Sequence, residues 1–458
     1  MSARRQRQMC IRDRIKKACM NEFHLKKLTF KEFLSFRRNI DPLKDLEEVS
    51  DDVRKILREV KIDGEKALLK FSRKFDDLSV KNLNELIFSR DKLEDSYNLL
   101  PKEIRDDLIF LKSRIQSFHE SIITTDWQKT DKVFSKYGQV SRPIKRVGLY
   151  APGGSAIYPS SVLMTSVLAK IAGVKEILLC FPPSNEKNTK LMLASAFLGE
   201  VDQVISIGGA QAIGAMAFGT DNFEKVDKIF GPGNQYVAEA KRQVFGIVGI
   251  DAMTGPSEVM IIADETADLE MIALDLIAQA EHGPNSTCIL VLVNNLIAKK
   301  VEDKISEYLN NLNFNKDSNA YKSLKNFGLI VNVSDFEEAK EVCNQFNPEH
   351  LQLILKNESQ VNLKEIYAGA IFLGQKNTAV LGDYCAGPSH VIPTNGATKF
   401  SSQLSIQDFF INSSFTHITN SQDENFKKIL KTSRDIAIEE GLAAHANAVD
   451  LRLKRLFN

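Results

Sequence analysis

The sequence predicts an α/β protein with two blocks of parallel strands, about 150–250 and 257–375, set between helical segments. Three observations predict it. Short apolar runs alternate with stretches of helical length through both blocks. Gly-rich loops follow several of those runs, where a strand hands over to a helix. Before about 120 and after about 408 the periodicity is helical.

The elements follow in order. Over 30–119, Val53, Ile56, Leu57, Val60 and Ile62 recur at mostly three- and four-residue spacing. Gly64 interrupts the run before Ala67, Leu68 and Leu69 resume it, and a scaffold role fits. The first block reads as a strand at 147–150, a Pro/Gly loop at 151–155 and a helix at 161–172. A strand at 175–181 (KEILLCF), a helix at 189–198 and a strand at 203–207 complete it. The second block opens with a strand at 258–263 (EVMIIA), a helix at 268–282 and a strand at 288–293. A helix at 298–311, a strand at 327–332 (FGLIVN) and a helix at 337–346 come next. Strands at 351–355 and 370–373 close it. From Asp408 the pattern turns helical and ends in 436–457. No repeat of 20–50 residues and no low-complexity segment is present.

Composition narrows the class. The 458 residues are 43% hydrophobic and 26% charged, as in ordinary globular proteins. Lys+Arg 60 against Asp+Glu 59 leaves +1, so no overall field favours nucleic acid or a membrane surface. Apolar stretches such as 259–263 or 288–293 fall far short of the roughly 20 residues of a membrane span. Six Cys with no C-x-x-C pair exclude a disulfide scaffold and a Cys-type zinc site. A cytoplasmic protein is expected. Residues 1–17 are Arg-rich, with a single Asp and no apolar core, so they are not a secretory signal. A disordered tail, a foreign extension and an organelle transit segment all fit this tract.

Three loops carry a cofactor signal. Tyr150-Ala-Pro-Gly-Gly-Ser155, Gly208-Gly209-Ala210-Gln211 and Gly231-Pro232-Gly233-Asn234 each lead toward a helix. None matches G-x-G-x-x-G or a Walker loop. Together they suit the carboxyl edge of a parallel sheet, where ligands bind.

The seven His are weighed in turn. His24 and His119 read as surface or structural, and His417 has no informative neighbours. Gln279 and His282, three apart at a helix end, share a face and could approach one ion; a terminal His favoured by the helix dipole fits equally. Asn347-Pro348-Glu349-His350 reads as an N-cap, a helical Pro and two acid/base groups before a strand. A helix N-terminus there would keep His350 neutral. The loop 382–390 exposes Asp383 and His390, which could equally be turn and surface residues. Glu440 and His445 are five apart and share no face unless Gly441 breaks the helix.

The strings VGLYAPGG, IGGAQAIGAMAFGT, IFGPGNQYV, GIDAMTGPSEV, AQAEHGPNS, NPEHL, GDYCAGPSHVIPT and EGLAAHANAV resemble histidinol dehydrogenase, in that family's order, from about Phe30 to the C-terminus. The resemblance implies oxidation of L-histidinol to L-histidine through histidinaldehyde, with reduction of two NAD+ at a zinc site. It implies one zinc per subunit held by Gln279, His282, Asp383 and His445, with His445 supplied by the partner subunit of a homodimer. Glu349 and His350 would be the acid/base pair, and Tyr150, Gln211 and Asn234 the NAD contacts. Ser257, Gln279, His282, His350, Asp383, Glu440 and His445 would meet the substrate.

The implied fold is two incomplete Rossmann-like domains with parallel-rich sheets and helical arms in a domain-crossed homodimer. Its expected parts are a basic extension 1–17, an arm 18–45, one α/β domain from 46–149 and 258–400, an NAD domain 150–257, and a C-terminal tail 401–458. Departures from the family's pattern at Thr165-Ser-Val-Leu168 and Gln403 touch none of the implied ligands. Cys180 and Cys385 read as packing residues rather than nucleophiles. A zinc hydrolase would have no use for three cofactor loops, and a sister dehydrogenase of another polar alcohol would lack a reason for Glu440 and His445.

Overall fold

A computed structural model describes residues 23–37, 44–76, 78, 80–123, 126–131, 136–153, 157–253, 255–294, 298–418 and 423–457. The basic tract 1–17, the arm's start at 18–22, and Gly154 and Ser155 lie outside the described residues. The strands in chain order are β1 (Lys26–Thr29), β2 (Ile87–Phe88), β3 (Trp127–Lys129), β4 (Lys136–Pro143), β5 (Arg146–Tyr150), β6 (Glu176–Cys180), β7 (Gln203–Ile205) and β8 (Lys228–Phe230). They continue as β9 (Gly249–Ile250), β10 (Glu258–Ala263), β11 (Thr287–Val293), β12 (Gly328–Val333), β13 (His350–Ile354), β14 (Ala370–Leu373) and β15 (Phe410–His417).

Two compact units form, one from Met1–Ser121 with Lys145–Asp408 and one from Ile122–Ile144 with Phe409–Asn458. The first holds two six-stranded sheets. One runs β2-β7-β6-β5-β8-β9 and is parallel except where β2 meets β7. The other runs β1-β12-β11-β10-β13-β14 and is wholly parallel. Both follow from the apolar runs. All six residues of β10 are buried, which a central parallel strand covered on both faces requires. On one face Ile272, Ala273, Leu276 and Ile277 of the helix Leu269–Glu281 pack against Val259, Ile261 and Leu290. On the other, Val342 and Phe346 of the helix Phe336–Phe346 pack against Met260 and Ile262. Each of these Val, Leu, Ile, Met and Phe side chains contributes about 1.5–3 kcal/mol on burial.

The parts are divided differently from the expectation. Val53, Ile56, Leu57 and Val60 of the helix Lys44–Asp63 share a core with Ile205 of the first sheet and with Ile213 and Met216 of the helix Gly209–Phe218. Residues 46–121 therefore lie on the 150–257 side, not with 258–400. Gly214 explains the close packing: a Cβ there would stand 3.1 Å from Leu57 and 3.2 Å from Val60. The expected N-terminal arm contains β1, paired in register with β12. Helix was expected from Asp408, yet Phe410–His417 is a strand, antiparallel to β4 in the sheet β15-β4-β3 of the second unit. That unit ends in the helices Glu424–Glu439 and Ala443–Phe457, with Phe426, Leu430 and Leu453 at their contact. Among the described residues no helix is long and apolar enough to cross a membrane.

Candidate active site

The described residues of the three Gly-rich loops follow β5, β7 and β8 at the carboxyl edge of the first sheet. Tyr150 ends β5, 3% exposed, and its hydroxyl oxygen accepts a hydrogen bond from the Gly209 N–H at 3.0 Å. Burial pushes its pKa up, so the phenol stays neutral and keeps its proton to donate. Gln211, 3% exposed, lies in the first turn of the helix Gly209–Phe218, beside Gly209. Tyr150 and Gln211 are thus brought to one loop. Gly153 and Gly208 both face the Pro182 ring.

Asn234 caps the helix Gln235–Val244 through Oδ1, accepting from Tyr236 and Val237. The loop before it is pinned by a pair that the sequence reading passed over. Lys241 and Asp251 form a buried ion pair, with side chains 1% and 3% exposed. Lys241 Nζ also donates to the carbonyls of Gly231 and Ala252, and Asp251 accepts from the Gly231 N–H at 2.6 Å. Gly231 has φ +115° and abuts the Tyr150 carbonyl, so a side chain has no room there. Lys241 sits in an amphipathic helix, where its sequence context reads as surface.

The acid/base candidates lie at the start of β13 in the second sheet. Glu349 and His350 are 6% and 4% exposed, and the His350 Nδ1 is 3.6 Å from the Glu349 carboxylate. The His350 Nδ1 is also 3.2 Å from the Glu258 carbonyl oxygen, while its Nε2 is buried without a hydrogen-bond partner among the described residues. A proton on Nδ1, donated to that carbonyl, leaves the Nε2 lone pair open as a base.

One expectation is corrected. Asn347 is not an N-cap but the left-handed C-cap of the helix Phe336–Phe346, at φ 57°. His350 therefore faces no helix N-terminus. Burial, opposed by the charge of Asp383, is what lowers its pKa and keeps it neutral. Burial likewise raises the Glu349 carboxyl well above its ordinary value, and the neighbouring carboxylates of Glu258 and Asp383 add to the shift.

Glu258 was not singled out from the sequence. Its main-chain N–H donates to Glu349 at 2.8 Å, and its carboxylate accepts from the Glu349 N–H at 3.3 Å and the Asn395 N–H at 3.2 Å. A charged residue opening a fully buried strand was the available signal. Ser257, one residue earlier, is partly buried.

The metal candidates come from two further elements. Gln279, 5% exposed, and His282 share a face of the helix Leu269–Glu281 at its C-terminal end. Asp383 ends the short helix Ala379–Asp383, and its Oδ2 stands 3.6 Å from His282 Nε2. That contact raises the His282 pKa. Burial works against the Asp383 carboxylate, yet His282, His350 and His390 together hold it below its usual range.

The Gln279 amide nitrogen is buried with no hydrogen-bond partner among the described residues. An imidazole, a carboxylate and the amide oxygen of Gln279 are donors that fit a borderline divalent ion such as zinc. Among the described residues no group of three or more His, Cys, Asp or Glu could hold a metal. In the first unit the candidate set is Gln279, His282 and Asp383. His390, read only as a possible surface residue, is held at Nδ1 by the Asp383 carbonyl, 2.9 Å away, and at Nε2 by Ser161 Oγ, 2.8 Å away.

Glu440 and His445 belong to the second unit. Glu440 caps the helix Glu424–Glu439, Gly441 has φ +73°, and His445 lies in the helix Ala443–Phe457. The break at Gly441 removes the single-helix objection to their acting together.

A family model described as histidinol dehydrogenase matches residues 41–453. The chain belongs to the histidinol dehydrogenase family. It is 40% identical to the histidinol dehydrogenase of Dechloromonas aromatica (strain RCB) over 424 residues, 92% of this chain and 97% of that one. It is also 40% identical to that of Nitrosomonas europaea over 422 residues, 92% of this chain and 95% of that one. The crystal structure of histidinol dehydrogenase from Elizabethkingia anophelis matches with a TM-score of 0.84 at 32% identity, covering 96% of this chain and 100% of that one. As a member of that family the chain is an enzyme, an oxidoreductase, and its parallel-rich α/β fold is that of the family.

Proposed function

We propose that this chain oxidises L-histidinol to L-histidine through histidinaldehyde, reducing two NAD+, as an enzyme of histidine biosynthesis in the cytoplasm. Membership of the histidinol dehydrogenase family supports the substrate. Described cysteines that are free thiols, three of them buried, suit a reducing compartment. The single observation that carries the chemistry is His350, a buried imidazole with Nδ1 engaged and Nε2 open.

The residues divide the work. Gln279, His282 and Asp383 of one chain, with His445 of the partner subunit in a homodimer, would hold zinc. When bound, zinc would orient the substrate's amine and imidazole as a template. NAD+ would meet Tyr150, Gln211 and Asn234 at the edge of the first sheet and accept the hydride in each half of the reaction. His350 takes the alcohol proton at Nε2. Glu349, its proton affinity raised by burial, takes a proton from the water that hydrates the aldehyde. Ser257 and Glu440 complete the substrate contacts, Glu440 from the arm that carries His445.

Half-reactions separate the two roles. With Glu349→Gln, oxidation of supplied histidinaldehyde is expected to fall about 100-fold or more, while the first NADH from histidinol forms at a much less reduced rate. Equal losses in both halves would contradict the division of labour.

A further inference from the structure

The helix Leu269–Glu281 carries Gln279 and His282, strand β13 carries His350, and the helix Ala379–Asp383 carries Asp383. One side chain joins all three elements. Asp275 stands one helical turn before Gln279. Its Oδ2 accepts a hydrogen bond from Gln352 Nε2 at 2.7 Å, and its Oδ1 one from Thr378 Oγ1 at 2.8 Å.

Both donors belong to the neighbouring elements. Gln352, 1% exposed, lies two residues beyond His350 and so points to the same face of the strand. Its Oε1 accepts from the Ala379 N–H at 3.3 Å. Thr378 is the N-cap of the helix Ala379–Asp383, accepting from the Val380 N–H at 3.2 Å. The three polar side chains thus form a closed link beneath the site. Packing alone does not call for it, since a carboxylate among neutral donors bears a desolvation cost that an apolar side chain avoids. Hydrogen-bonded struts of this kind hold ligating side chains in register.

We infer that Asp275, through Gln352 and Thr378, is a positioning residue that fixes Gln279, His282, Asp383 and His350 relative to one another. The inference rests on the reading of those residues as metal donors and base.

The test uses the full-length, zinc-loaded Asp275→Asn variant. Its zinc dissociation constant, measured by competition with a chromophoric chelator, is expected to rise about 10-fold or more. The kcat for histidinol falls with it, while KM for NAD+ stays at the wild-type value. Unchanged zinc affinity and kcat would overturn the inference, and so would a parallel rise in KM for NAD+, which marks a general loss of structure. If Asp275→Asn does not fold, Thr378→Val and Thr378→Ser decide. Serine keeps the hydroxyl and restores wild-type zinc affinity, whereas valine does not; two variants that bind zinc alike overturn the inference. His282→Ala is measured alongside. Retention of zinc there would sink the ligand assignment itself, with Asp275 untouched, so the two failures are told apart.

Discussion

At the scale of the residue, burial decides where protons sit. Glu349 and Glu258 exchange main-chain N–H bonds across the starts of two adjacent strands, which places two carboxylates together away from water. His119 shows the same physics outside the site. It is 1% exposed, neither ring nitrogen has a hydrogen-bond partner among the described residues, and burial lowers its pKa to about 4. The unfolded chain therefore takes up a proton near pH 6.5 that the folded chain refuses until about pH 4. Stability should fall as pH drops through that window, by at most ~3 kcal/mol from this group. Urea midpoints at pH 7 and pH 5 check it. His119→Leu should flatten the difference, and an unchanged pH dependence in the variant would contradict the assignment. Glu349 and His350 were legible because they adjoin each other in sequence. Glu258 and Asp275 were not, because their partners lie 91 and 77 residues away and only the fold brings them close.

At the scale of the element, the strands and helices hold the proposed ligands to tight tolerances. Gly382, next to Asp383, packs so closely on Phe372 that a Cβ would stand 2.5 Å from the ring tip, and that ring lies 6.0 Å from the His350 ring. Gly382→Ala should shift the short helix and lower kcat by about 10- to 100-fold. Adding Phe372→Leu should recover part of the loss. Full activity in the single variant would show that the helix has slack.

Many elements could be read from the sequence because their periodicity is strong. EVMIIA is β10 over the expected residues, and 298–311 is the helix Ala298–Asn311. The elements that escaped are short, polar or both. β1 (KKLT) buries one residue of four, and β4 (KYGQVSRP) likewise has one buried position. Asn347 misled because Asn suits both an N-cap and a left-handed C-cap, and the local sequence does not choose between them.

At the scale of the whole molecule, the proposed site combines Gln279, His282 and Asp383 of one chain with His445 of the partner subunit. A complementation experiment tests this. His282→Ala and His445→Ala homodimers should both be inactive. Mixed by unfolding and refolding in equal amounts, half of the dimers combine the two chains and hold one intact site, restoring about a quarter of the wild-type rate. No recovery, with heterodimers shown to form, would place each site within a single chain.

A four-electron oxidation completed at one metal-dependent site is tested most directly by the NADH formed per L-histidinol consumed, before and after chelation. Two NADH per substrate are expected, lost on chelation and restored by zinc. One NADH per substrate, with free aldehyde accumulating, would contradict it.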